Sequence, residues 1–168
     1  MLNNKKIGII GTGNMGEAIV GGLISSGSSE PENIMCSDVS QDRLEWVNAK
    51  YGVPTTADNN ALIEASNIVI YAVKPQNMAT TLKQTADSLE MSKLVISIAA
   101  GVPLAAIASC LKKDLRLIRV MPNIAAFVRE GASAVAGGKH ADKTDLAVAK
   151  AIFDSVGKSV IIEEELMD

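Results

Sequence analysis

The chain has 168 residues, the length of one ordinary domain, and 48% hydrophobic against 21% charged residues excludes the disordered class. Its net charge is -3 with lysines and arginines scattered, so the basic footprint of a nucleic-acid binder is absent and no nucleic-acid partner is expected. No apolar run approaches the roughly 18 residues of a membrane helix, and MLNNKKIGIIG runs straight into a strand without a signal-peptide core, which predicts a cytoplasmic protein without a membrane partner.

In chain order, KKIGII reads as a strand, 14–26 as a helix, NIMCS as a strand and 41–51 as a helix, with a short strand at 53–55. NIVIYAV, helix 77–89, KLVISIA, helix 104–111 and LRLIRVM continue the rhythm. This β-α repetition, with strands apolar throughout instead of alternating, predicts an α/β fold: a Rossmann-type, doubly wound, mostly parallel sheet with helices on both faces. After Pro122 the rhythm changes to a strand in GASAVAGG, a helix over 143–155 with Ala147, Ala151 and Phe153 inward, and a last strand in KSVIIEEE. These extend the sheet at its far edge. No linker or repeat divides the chain, so 1–162 is expected to be one NAD(P)-binding domain and 163–168 the start of a hinge.

Cys36 and Cys110 have neither the spacing nor the company of a metal or redox site and read as reduced core residues; no metal is expected. The sole histidine, His140, lies among glycines and lysines and is given no catalytic role.

The motif with most chemistry is Gly11-Thr12-Gly13-Asn14-Met15-Gly16, between a strand and a helix. The first glycine permits the tight turn, the second lets backbone approach a pyrophosphate, and the third lets helix and strand pack closely; phosphate then sits at the helix N-terminus. The second strand ends at Ser37 and Asp38, and Asp38 stands 22 positions beyond Gly16, where such folds meet the adenosine ribose. A carboxylate there accepts the ribose hydroxyls and leans toward NADH, whereas Ser37, Ser40 and Arg43 offer donors and charge to a 2′-phosphate, so NADPH and NADH both stand. Asp38 also has a plain reading as a cap or turn acid before the second helix. The fourth strand ends in Ala72-Val73-Lys74-Pro75, where proline stops the strand and holds Lys74 extended at the crevice edge. Lys74 alone also reads as a surface residue. Ala99, Ala100 and Gly101 end the fifth strand with side chains small enough for a flat ring, or for simple packing.

Taken together, GTGNMGEAI, YAVKPQ, VISIAAGV and IRVMPNIAAFVREGASA, in this order and spacing, resemble the N-terminal domain of the pyrroline-5-carboxylate reductases, over essentially the whole chain. The resemblance implies NAD(P)H-dependent reduction of 1-pyrroline-5-carboxylate to L-proline. It implies cofactor contacts at Gly11 to Gly16, Ser37, Asp38, Asn59 before the third helix, Ala72 to Pro75, Ala99 to Gly101, and Asn123 in the MPN turn. Ile124 and Ala125 follow where the family has Thr and Pro, which puts the rigidity of that turn in question. Glu164, in the acidic EEELMD, falls on a position that approaches the substrate. The family continues into an all-helical domain that dimerises and supplies most of the substrate pocket, so this chain is expected to be the cofactor-binding part of a homo-oligomeric enzyme. As a chain end, 163–168 is expected to be poorly ordered. No catalytic acid stands out, in keeping with a reaction whose difficult chemistry belongs to the cofactor. The rival expectations are another dehydrogenase with the same opening, of the β-hydroxyacid or F420-dependent type, and a non-enzymatic dinucleotide-binding module.

Overall fold

The computed structural model describes residues 2–123 and 130–168, so Ile124 and Ala125 lie outside the described residues. Eight strands among the described residues share one sheet. They are β1 (Ile7–Ile10), β2 (Ile34–Ser37), β3 (Thr55–Thr56), β4 (Ile68–Tyr71), β5 (Leu94–Ser97), β6 (Arg116–Pro122), β7 (Gly131–Gly137) and β8 (Gly157–Ile161). Their order is β3-β2-β1-β4-β5-β6-β7-β8. The pairs from β3 to β6 are parallel; β7 is antiparallel to β6, and β8 is parallel to β7. The chain leaves β1 toward β2 on one side and returns to β4 on the other, which makes the gap between β1 and β4 the switch point of the winding.

Every position of β1, β4 and β5 is buried. Two apolar layers account for this. On one face Ile19, Val20 and Leu23 of α1 (Asn14–Ser25), Val47 of α2 (Gln41–Tyr51) and Ile152 and Phe153 of α6 (Lys143–Asp154) pack on Ile7, Ile9, Ile70 and Ile96. On the other, Leu62 and Ile63 of α3 (Asn59–Glu64), Met78 and Leu82 of α4 (Pro75–Thr85) and Ile107 of α5 (Leu104–Leu111) pack on Ile10, Val69, Tyr71 and Val95. Each fully buried aliphatic side chain contributes about 1.5–3 kcal/mol, so the central strands carry much of the stability.

Local chemistry sets the helix ends. Ser40 caps α2 by accepting from Arg43 N, and Gly52 ends it at φ 72. Pro75 opens α4 with Lys74 extended at ψ 146, as the A-V-K-P loop predicts. α6 starts in a reciprocal capping box of Asp142 and Asp145.

The departures from the sequence reading are local. α3 is a helix that the apolar pattern alone does not announce, because six residues carry only Leu62 and Ile63 as a buried pair. The helix expected at 77–89 runs Pro75–Thr85 and tightens into a 3-10 turn at Ala86–Ser88. In α6 the inward residues are Val148, Ala149, Ile152 and Phe153, at i/i+4 spacing, while Ala147 and Ala151 are half-buried. The end of the chain is held and not frayed: Glu164–Leu166 form a 3-10 turn and Met167 is buried. No helix among the described residues is long and apolar enough to cross a membrane.

Candidate functional site at the switch point

A cleft of about 550 Å³ opens at the carboxyl ends of β1 and β4, where the winding reverses. Gly11, Gly13, Asp38, Asn59, Ala72, Val73 and Lys74 line it. All seven are residues that sequence reasoning or the family resemblance put forward.

The three glycines differ in what requires them. Gly11 sits at φ +99, and a Cβ there would lie 2.7 Å from the Ala72 carbonyl oxygen. At Gly16 a Cβ would come to 2.0 Å from the Gly11 carbonyl oxygen, so turn and helix can close only around glycine. Gly13 is the contrary case. It caps α1 at φ −68 and ψ −166, an ordinary extended conformation, and a Cβ there meets nothing within 4 Å. Nothing among the described residues demands glycine at that position, and the open space is the cleft. α1 also lacks a side-chain cap, so its N-terminal donors are left to whatever occupies the cleft. Asn14 is exposed at the first turn, and Met15 packs half-buried on the core.

Asp38 fastens this loop. Its Oδ2 accepts from Thr12 N at 2.7 Å and Thr12 Oγ1 at 2.8 Å, and its Oδ1 accepts from Ser40 N at 2.8 Å. Burial pushes the Asp38 carboxyl up, but these three bonds and the nearby Arg43 charge hold it below its usual value, so it stays ionised. Asp38 is thus a turn acid between loop and second strand, and the cap of α2 is Ser40 instead. Thr12 is fully buried. Ser37 donates from Oγ to Asn59 Oδ1 at 2.6 Å, which places Asn59, the first residue of α3 after its cap Asp58, beside the end of β2.

A second layer behind the loop was not legible as a group. Arg43 donates from Nε to the Thr12 carbonyl at 2.8 Å and from Nη2 to Glu17 Oε2 at 2.6 Å. Glu17 also accepts from Lys50 Nζ at 2.9 Å, Tyr51 Oη at 3.1 Å and Trp46 Nε1 at 3.3 Å. Burial raises the Glu17 carboxyl, yet Arg43 and Lys50 with the Trp46 and Tyr51 donors outweigh it and hold the group at about 2. The far wall of the cleft is also additional: Asn77, Thr80, Thr81 and Gln84 of α4. Their spacing puts four polar residues on one helical face, a signal the sequence does contain.

The remaining expected residues follow the same edge of the sheet. Ala99, Ala100 and Gly101 form the turn after β5, with Ala99 N bonded to Ser97 Oγ at 3.2 Å and Gly101 at φ +70. Asn123 directly follows β6, and its Oδ1 accepts from Ala132 N of β7 at 3.2 Å. None of these four lines the cleft itself. Glu164 accepts at Oε1 from Leu104 N and from Arg119. His140 lies 3.2 Å from Asp114, away from the cleft. Cys36 is buried, and burial together with the Asp38 charge raises its thiol to about 12, as an inert core residue requires; Cys110 is half-buried. Among the described residues no group of His, Cys, Asp and Glu could hold a metal.

A family model described as "NADP oxidoreductase coenzyme F420-dependent" matches residues 6–101, from β1 through the turn after β5. The chain belongs to that family. Over nearly its whole length it is similar to pyrroline-5-carboxylate reductases, in agreement with the four motifs. The reductase of Methanosarcina acetivorans is 46% identical over 167 residues, 99% of this chain and 62% of the relative. A solved pyrroline-5-carboxylate reductase from Coxiella burnetii superposes with TM-score 0.93 at 36% identity, over 97% of this chain and 60% of that one. The Plasmodium falciparum pyrroline carboxylate reductase, solved with NADP bound, superposes with TM-score 0.87 at 27% identity, over 98% and 60%. The chain therefore spans about three fifths of the relatives it matches.

Proposed function

We propose that this chain is the dinucleotide-binding part of a cytoplasmic pyrroline-5-carboxylate reductase, which reduces 1-pyrroline-5-carboxylate to L-proline with NADPH or NADH in the last step of proline biosynthesis. The observation that carries the reading is Gly13: a glycine that neither backbone angle nor packing requires, facing an open cleft at an uncapped helix N-terminus. A pyrophosphate is the group that makes such a glycine necessary. The residues present fit the dinucleotide. The pyrophosphate belongs on Gly11, Thr12, Gly13, Asn14, Met15 and Gly16; the adenosine end on Ser37, Asp38 and Asn59; the middle on Ala72, Val73, Lys74 and Pro75; the ring end near Ala99, Ala100, Gly101 and Asn123.

When bound, the nicotinamide supplies the hydride that an electrophilic imine carbon accepts. The chain's own contribution is position and charge. Asp38 and Arg43 hold Thr12 from both of its polar sides, so the donors of the first turn of α1 are set before any ligand arrives. Glu164 enters the proposal with Oε1 already committed to Leu104 and Arg119. Most of the imino-acid pocket and the homo-oligomer contacts fall, on this reading, to the part of the longer relatives that this chain does not span.

The second reading is another reductase of the same family, since the family's description names coenzyme F420 and its match ends at residue 101, before Asn123. One experiment tests the dinucleotide binding that both readings share. The purified chain is titrated with NADPH and NADH by fluorescence and then given the imino acid. Saturable binding with negligible oxidation is expected, because holding two reactants in line can be worth about 7–11 kcal/mol of barrier. Turnover on the order of 10 per second would mean that the pocket is complete without the rest. Failure to bind either dinucleotide would overturn the proposal.

A further inference from the structure

One charged side chain in the sheet serves no purpose described so far. Arg119 lies in the middle of β6, opposite Ser97 of β5, and its side chain is 1% exposed. An arginine cannot shed its charge, so at that depth it must be matched. Two carboxylates from the end of the chain match it: Asp168, at 2.8 Å to Nη2 and 3.0 Å to Nη1, and Glu164, at 3.1 Å to Nη1.

The same Glu164 oxygen accepts from Leu104 N at 2.7 Å. Leu104 is the first residue of α5, whose cap position is Pro103, a residue with no donor or acceptor in its side chain. Glu164 supplies from sixty residues away the cap that Pro103 lacks. Its charge also faces two positive poles at once, the guanidinium and the helix N-terminus. Two apolar neighbours back this up: Leu117 of β6 packs in the same layer as Leu104 and Ile107, and Met167 is buried beside the turn that carries Glu164.

The stretch between Ser97 and Leu104 is the turn that holds Ala99, Ala100 and Gly101. At one end it leaves β5 beside Arg119; at the other it enters α5 under Glu164. We infer that the Arg119–Glu164–Asp168 cluster is a positioning device for the ring end of the dinucleotide, with Glu164 bracing the 98–103 turn between β6 and the chain's last residues. The inference rests on the dinucleotide reading above and gives Glu164 a role in cofactor seating, distinct from substrate contact. The brace is remote from Thr12, Asp38 and Arg43, so it acts on one half of the ligand and not the other.

Two ligands separate the halves. NADPH reaches the turn after β5; adenosine 2′,5′-bisphosphate carries only the adenosine end and stops at the glycine loop. In Glu164→Ala, calorimetry should give NADPH an affinity about tenfold weaker, while that of the bisphosphate stays within about twofold. Hydrogen exchange of the 98–104 amides should rise in the variant without ligand. Glu164→Gln retains an acceptor for Leu104 N and should recover most of the NADPH affinity. If Glu164→Ala does not fold, Asp168→Asn, at a carboxylate 59% exposed, should show the same selective loss in smaller measure. Equal losses for both ligands, or no loss for NADPH, would overturn the positioning role while leaving dinucleotide binding intact. A wild-type chain that binds neither ligand would overturn the reading beneath it.

Discussion

Replacing Gly13 with valine separates a glycine kept for a ligand from a glycine kept for the fold. The backbone at Gly13 is one valine adopts, and an added Cβ enters space where no atom of the described residues lies within 4 Å. The folded state therefore loses only the difference between glycine and valine at a helix cap, about 1 kcal/mol or less, which in a chain of this size moves Tm by roughly 2–4 °C. On the proposed reading binding loses far more, because the branched side chain would occupy the place of the pyrophosphate. A drop of at least about tenfold, roughly 1.4 kcal/mol, is the smallest effect consistent with the reasoning. Gly16→Val is the control: its Cβ would stand 2.0 Å from the Gly11 carbonyl oxygen, which must move, at about 3 kcal/mol or more. Calorimetric titration with NADPH beside thermal melts of the two variants gives both quantities. A folded Gly13→Val that binds NADPH like the wild type would refute the phosphate site, and one that melts as early as Gly16→Val would show that Gly13 serves the fold.

Two further outcomes follow from the charges around the loop. Glu17 is held at about 2, below its ordinary value of 4.5, so it adds stability that is present above about pH 4.5 and lost as pH falls toward 2. Urea melts of Glu17→Gln against wild type should differ by on the order of 2 kcal/mol near neutral pH, allowing for solvent screening of Arg43 and Lys50, and should converge in acid; a difference that does not change with pH would mean lost packing alone. Asp38→Ser removes a carboxylate that repels a 2′-phosphate and also the acceptor that fixes Thr12, so affinity for both dinucleotides should fall while the ratio shifts toward NADPH. An unchanged ratio in parallel titrations would confine Asp38 to tying the loop.

What the sequence discloses here is what local chemistry and period determine. Runs such as IGII and IVIY could only be strands buried on both faces, and the glycine loop and Pro75 sit where a tight turn and a helix start require them, whereas the cap of α2 falls to Ser40 and not to Asp38. α3 escapes the pattern because it is short and its two buried residues make no period. The reversal at β7 escapes it because GASAVAGG contains nothing that encodes strand direction. The two ion clusters escape it for another reason: Glu17, Arg43, Trp46, Lys50 and Tyr51 meet only when α1 and α2 pack together, and Arg119 meets Glu164 and Asp168 only across the sheet. A trace of the second was present, since an arginine inside the apolar run LRLIRVM has to be answered by acids elsewhere, and EEELMD was the acidic stretch at hand.

The central claim is that the cleft between the ends of β1 and β4 receives a dinucleotide. Amide chemical-shift mapping of the isotope-labelled chain during an NADPH titration tests it most directly. Saturable shifts are expected, concentrated in the 11–16 loop, Ser37 and Asp38, Asn59, the 72–74 segment and the 99–101 turn. Shifts absent there, or gathered instead around Leu117, Gly138 and His140 at the smaller cleft beside α5, would contradict it.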